Sequence, residues 1–425
     1  MKPLLQNDRL VAANRAMVLA AIMWALVPGV GMAQEVEPLG LRAGSVLLHP
    51  GAFVESGYDS NLFYEDPSEL APGESLTTSF VLKPGLSLRA ETPAPTVAEW
   101  EANVRGTWEQ YLSGAERVSN NSGIEVSAAT SLLLWPTQTF KMKPNFLYAL
   151  SNGPADQASN VSLDNHLVSP GIEALIEPED GKIFGQTFGY QLRLRIFDGI
   201  SDIDSQNHHL SSITRWSFLP QTAVTLRIEQ DILTYSNATR SLPAPLDLAN
   251  NGATPFRAQA GLRGLLFNRL NVNLQAGYAY TFYDAGANEH LFIAQGELGY
   301  EWTEATRLTF GYIKNFEDST FGNYFKFHRL YLKFQTEFAN RFDASLGGHI
   351  NFDDFGAIED LSGRSDSVYD VDAALGYTFV PGLTARLAYL LRGNSSDFGS
   401  QVGGQPVGSA SYVKHQALLN LAYEF

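Results

Sequence analysis

The chain contains no cysteine. That removes disulfides, thiolate metal sites, thiol nucleophiles and a lipidated cysteine from consideration. Long apolar runs are almost as scarce: beyond residue 33 no stretch has the roughly 20 apolar residues that a spanning helix needs. Cations are outnumbered, with 29 Lys and Arg against 45 Asp and Glu and a formal charge of −16. Such a surface repels nucleic acid and excludes that class of partner. Helix-forming runs are few as well. A chain of strands is left, either soluble outside the cytoplasm or crossing a membrane as a closed barrel.

The export route is written at the N-terminus. Lys2, Arg9 and Arg15 precede an apolar run from Ala16 to Val30, and Gly31-Met32-Ala33 supplies the small residues read by a signal peptidase. Residues 1–33 are expected to be a secretory signal peptide. Its removal takes away three basic residues and Asp8, so the remaining chain is more acidic still. Residues 34–425 are expected to be one domain, because Gln34 to Gly44 is too short for a plug and strands and loops use up the rest.

Alternation of apolar and polar residues recurs over 45–57, 77–92, 97–112, 122–135, 138–149, 164–177, 182–197, 207–218, 223–235, 255–267, 271–284, 290–302, 307–316, 324–338, 342–355, 368–379, 383–393 and 411–425. A period of two is that of a strand with two different faces. Tight turns such as Pro136-Thr137, Asn268-Arg269 and Val380 to Gly382 alternate with longer polar loops such as 59–76, 236–254 and 394–410. Short turns at one end and long loops at the other is the asymmetry of an outer-membrane barrel, which a soluble sandwich has no reason to keep. The fold expected is all-β: a closed antiparallel transmembrane β-barrel of about 18 strands, in the outer membrane of a Gram-negative bacterium.

Assigning faces gives an independent check. Strand 271–284 sets Val272, Leu274, Ala276, Tyr278, Tyr280 and Phe282 against Asn271, Asn273, Gln275 and Thr281. With the apolar rows facing lipid, aromatics toward their ends form interfacial girdles: Trp100 and Trp108, Phe140 and Tyr148, Trp302, Phe342 and Phe352. The opposite rows place Lys83, Arg89, Arg105, Lys141, Lys143, Arg193, Arg195, Arg227, Arg263, Arg329, Lys333 and Arg386 in the lumen, with Glu297, Glu301, Glu337 and Asp343. Arg257, Arg392, Glu101, Glu109, Glu229, Asp231 and Asp372 join them. Charges near mid-strand need water or partners, and a wet lumen offers both. Bases dominate the first two thirds and acids thicken between 290 and 372, which implies walls of opposite sign unless the charges simply pair. Tyr111, Tyr283 and Tyr331 are the inward aromatics on which a sugar could stack.

Nothing in the spacing assembles an enzyme, a cofactor site or a metal site. His49, His166, His208, His209, His290, His328, His349 and His415 are scattered and read mostly as surface-loop histidines. The adjacent pair His208-His209 must point to opposite faces and cannot share a metal. Asp198, Asp202 and Asp204 alternate in a loop that lacks a full Ca²⁺-binding pattern. A solvated loop is the simpler reading.

The last strand ends in Leu421, Tyr423 and Phe425, which resembles the C-terminal assembly signal of outer-membrane barrels and implies the barrel-assembly machinery as a partner. Gly57-Tyr58-Asp59-Ser60-Asn61-Leu62-Phe63, followed by about 18 strands and a terminal Phe, resembles the type 2 outer-membrane β-barrel porins. Members of that family are associated with exopolysaccharide export, so the resemblance implies a conduit acting with a periplasmic polysaccharide-export protein. The residues alone leave three functions open: polysaccharide export, diffusion of small polar solutes, or a structural barrel whose loops contact lipopolysaccharide and whose lumen is closed, for example by loop 236–254. Outer-membrane lipid surrounds the barrel in each case.

Overall fold

The structure is a computed structural model that describes residues 40–93, 97–113, 116–119, 121–154, 162–178, 183–198, 201–237, 239–241, 247–249, 252–284, 287–319, 324–356, 364–397 and 410–425. The expected signal peptide and residues 238, 242–246, 250 and 251 of loop 236–254 lie outside these residues. Eighteen long strands make one sheet: β1 (Val46–Asp59), β2 (Ser79–Glu91), β3 (Ala98–Leu112), β4 (Gly123–Leu134), β5 (Phe140–Pro154), β6 (Ser162–Ile176), β7 (Phe184–Phe197), β8 (Ser205–Leu219), β9 (Thr222–Tyr235), β10 (Phe256–Leu266), β11 (Leu270–Thr281), β12 (Glu289–Thr303), β13 (Thr306–Asp318), β14 (Tyr324–Phe338), β15 (Phe342–Phe355), β16 (Arg364–Val380), β17 (Leu383–Ser396) and β18 (Tyr412–Glu424). Each pairs antiparallel with the next, and β18 pairs with β1 from Gly51↔Glu424 to Asp59↔Gln416. The sheet is therefore closed, and every strand finds backbone partners on both sides without help from water.

Closure explains the sequence pattern. A strand in such a wall has lipid on one side and the lumen on the other, so every second residue is apolar. Phe80, Leu86 and Trp108 are 61 %, 69 % and 60 % exposed, and Leu298, Leu332, Leu387 and Leu419 form the same outward belt. An apolar girdle of this extent has no place in water and defines a membrane-facing surface. The outward aromatics expected from the sequence lie on this face, with Phe338, Phe342, Tyr377 and Phe379 in contact around the short-turn end of β14 to β16.

The short turns are left-handed where the hairpin needs it. Ala339 and Asn340 both have positive φ (53° and 57°), and Gly382 has φ 83° with the Glu424 carbonyl where a Cβ would sit. Three features differ from the expectation. Strand β16 runs over 364–380 instead of 368–379, because Arg364, Ser365 and Asp366 continue the ladder with polar residues on both faces, where alternation gives no signal. Strand β11 stops at Thr281, short of 284. Leu41–Ala43, in the segment judged too short for a plug, pairs back on Val46–Leu48 as a rim strand beside His49, which is 1 % exposed.

Candidate functional site

The lumen is the one environment in which charge is concentrated. The sixteen charged side chains alternate along their strands with the exposed apolar rows and so fall on the opposite face of the sheet. Their neighbours are the part that alternation could not supply. Lys83 Nζ lies 2.6 Å from Glu109, Lys141 Nζ 2.8 Å from Glu177, Arg227 3.4 Å from Glu229 and Arg386 2.5 Å from Asp343. Arg89 reaches Glu91 and Glu424. Glu297 accepts from the Tyr331 hydroxyl at 2.6 Å, and Glu301 from Asn271 at 3.3 Å. Opposite charges thus meet within a strand or across one or two strands. In the 290–372 sector Asp343 meets Arg386 and Asp370 meets Arg392, so part of the expected acidic wall is paired locally.

At the long-loop end the inward residues close into a packed collar. Arg392 grips Asp370 through two bonds of 2.7 and 2.6 Å, with His349 Nε2 at 3.5 Å. Arg364, 2 % exposed, forks onto Asp366, which Asn394 also reaches at 3.0 Å. Asp231 accepts from His209 at 2.9 Å and Arg257 at 2.8 Å, and the Arg257 guanidinium lies 4.8 Å from the centre of the Phe316 ring. Such pairs tolerate burial because each charge has both a counter-charge and hydrogen bonds.

Asp59 ties this collar to the first loop. Its Oδ1 accepts the Asn61 backbone N–H at 3.0 Å, while Oδ2 accepts Lys414 Nζ at 2.8 Å and Gln416 Nε2 at 2.7 Å. Asn61 in turn donates to the carbonyls of Glu65 and Val413, and Ser60 exchanges bonds with His415. The chain then turns inward: Leu62 joins Val81, Tyr111 and Val118 in a buried cluster, and Tyr64 sits 4.2 Å from Lys414 Nζ with a left-handed backbone, φ 53°. The run Gly57 to Phe63, which in the sequence carried only a resemblance, is a knot that fastens the first loop across the β18–β1 seam. Gly57 is required there because the Ala417 carbonyl occupies the place of a Cβ.

Of the inward aromatics, Tyr111 and Tyr283 are buried in the collar and Tyr331 lines the lumen below it. Tyr331 lies over Gly311 directly across the ladder, and Phe53 lies over Gly85 in the same way. Arg105 stacks on the other side of Phe53, 3.6 Å from its centre. Among the described residues Arg105, Arg193 and Arg329 make no ion pair within 4 Å: Arg105 lies on Phe53, with Glu55 and Glu125 farther off, Arg193 bonds the Gln191 amide at 3.0 Å and Arg329 bonds Asn351 at 2.8 Å. Among the described residues no three His, Asp or Glu side chains converge as a metal site would require. The loop acids go separate ways: Asp204 caps the Phe197 N–H, Asp202 accepts from Asn237, and Asp198 approaches His166. In loop 236–254 the described residues include a three-residue ladder (239–241 with 247–249) and Ala253, stitched between Leu233 and Tyr283.

A closed sheet with an apolar outer belt and a charged, polar lumen is a transmembrane β-barrel of the outer-membrane class. No protein-family model and no curated protein matches the chain. Solved structures do resemble it. The outer-membrane protein OpdK of Pseudomonas aeruginosa aligns at TM-score 0.47 and 11 % identity, over 89 % of this chain and 98 % of that one. A BenF-like porin from Pseudomonas fluorescens Pf-5 aligns at 0.49 and 8 %, over 89 % and 98 %. OccK2 (OpdF) of Pseudomonas aeruginosa, solved in complex with glucuronate, aligns at 0.48 and 9 %, over 89 % and 98 %.

Proposed function

We propose that the chain is a porin, a diffusion conduit for small polar solutes that carry an acidic group. The observation that carries this reading is the set of lumen arginines whose own partners are a ring or an amide. A guanidinium so held keeps its charge and N–H donors for a carboxylate passing through, and its planar fork fits that group. Many of the remaining lumen charges pair locally and keep the wall wet. Export of a polysaccharide with a periplasmic partner is the second reading and rests on the family resemblance alone. Assembly through Leu421, Tyr423 and Phe425, all outward on the last strand, and cleavage after residue 33 belong to either reading.

Single-channel recording in a planar bilayer tests the proposal, with glucuronate and glucose as blockers of similar size. Glucuronate is expected to interrupt the current at concentrations about tenfold lower than glucose, the difference one charge-assisted hydrogen bond makes. Replacing Arg105, Arg193 and Arg329 together by glutamine is expected to remove that difference. Equal block by the two sugars sinks the acidic preference. A folded barrel that stays silent sinks the diffusion reading and leaves the structural barrel or the partner-dependent exporter.

A further inference from the structure

Five of the eight histidines occupy one repeated position on the lipid-facing wall. His166, His208, His328 and His415 sit within the first five residues of β6, β8, β14 and β18, the strands that descend from a long loop. Each faces outward and lies one step along the ladder from a tyrosine of the preceding strand. The pairs are Tyr148–His166, Tyr190–His208, Tyr312–His328 and Tyr389–His415, with hydroxyl to Nδ1 distances of 3.1, 2.9, 2.8 and 2.8 Å. His290, second residue of β12, repeats the ring contact with Tyr278, centroid to centroid 6.2 Å against 6.2, 6.1, 6.1 and 6.2 Å in the other four. These histidines stand near the strand ends at the outer edge of the apolar belt.

The chemistry of the pair fixes what the imidazole offers. Phenol is the stronger acid of the two, so its O–H donates to Nδ1, and the ring proton of a neutral imidazole must then sit on Nε2. In the four hydroxyl-bonded pairs the tyrosine therefore sets the imidazole as an Nε2–H donor. At His166 the effect is visible, because Nε2 points to a carboxylate oxygen of Asp198 at 3.5 Å. At His208 the Nε2 is already met by the side-chain amide nitrogen of Gln206, itself a donor, so this ring is not an example of the effect. At His328 the residue directly across the ladder is Lys314, a cation on the outward face. Tyrosine alone would satisfy an interfacial girdle; the added donors and the lysine call for acceptors at that height.

We propose that this ring of imidazoles binds the phosphate groups of outer-leaflet lipopolysaccharide, Nε2–H groups donating to phosphate oxygens and so fixing the depth of the barrel in the membrane. The inference rests on the chain being an outer-membrane barrel and is independent of what its lumen conducts.

The test uses the full-length barrel refolded in nanodiscs, with native mass spectrometry to count retained lipid. Lipid A bearing both phosphates competes with the same lipid after dephosphorylation. The wild-type barrel is expected to prefer the phosphorylated form about tenfold, as a few exposed charge-assisted hydrogen bonds allow. A variant with His166, His208, His290, His328 and His415 changed to phenylalanine keeps the rings and is expected to lose the preference. Where that variant does not refold, His328→Phe and His415→Phe singly are each expected to lower it about twofold. Tyr→Phe at 148, 190, 312 and 389 is expected to lower it too, by freeing the tautomer. A wild-type barrel without preference, or a folded histidine variant that keeps it, overturns the proposal. Failure of the wild type to insert, read by protease protection, would instead strike at the barrel reading itself.

Discussion

Asp59→Ala is expected to destabilise the barrel by about 3–5 kcal/mol, the loss usual when one member of a buried ion pair is removed. Lys414 is 3 % exposed and would be left with its charge facing the Tyr64 ring and no carboxylate. The same change cuts the bond to the Asn61 backbone and the one from Gln416. Urea titration of the barrel refolded in lipid vesicles measures the effect. Asp59→Leu combined with Lys414→Met should regain much of it, since removing both partners leaves no charge stranded. A second readout separates stability from gating. Tyr64 holds a left-handed backbone that an aromatic residue adopts at a cost, so once the knot is cut the loop is expected to swing out and single-channel conductance to rise. Unchanged conductance in a folded Asp59→Ala barrel would show that the first loop does not narrow the mouth.

Arg105→Glu is expected to turn the ion preference of the channel toward cations. The arginine is held in the lumen by Phe53, and Glu55 and Glu125 are its electrostatic neighbours. Substitution by glutamate would gather three carboxylates around one ring. Unit charges a few ångström apart interact by about 1–4 kcal/mol between the dielectric of water and that of a protein surface. Reversing one is therefore expected to shift the relative permeability of anion and cation by about tenfold. The reversal potential under a salt gradient reads it directly. A ratio unmoved by Arg105→Glu would mean that permeating ions keep to the far wall.

The barrel was legible in the sequence because its two solvents differ so sharply. Along β11 the choice between Leu274 and Gln275 is a choice between lipid and water, and nothing else competes. Inward placement of Lys83 or Arg386 followed from the same period. Their partners did not, since Lys83–Glu109 and Arg386–Asp343 depend on how neighbouring strands are staggered, to the residue. Asp59 and Lys414 were still harder to connect, lying at opposite ends of the chain and meeting only because the last strand closes on the first. The Tyr–His pairs were hidden by the same ignorance of register. Residue types fixed the faces, and stagger fixed the neighbours. The expected walls of opposite sign came from counting charges along the chain, a measure that ignores which charges touch.

The aromatic rings that lie across from glycine decide how wide the passage is. Phe53 over Gly85 and Tyr331 over Gly311 rest where a side chain is missing, so each ring is let into the wall like a tile instead of standing out from it. The bore thus carries stacking surfaces for a solute without giving up cross-section. A methyl group at either glycine would lift its ring inward, and the channel would be narrowed by a residue that does not itself reach the passing molecule.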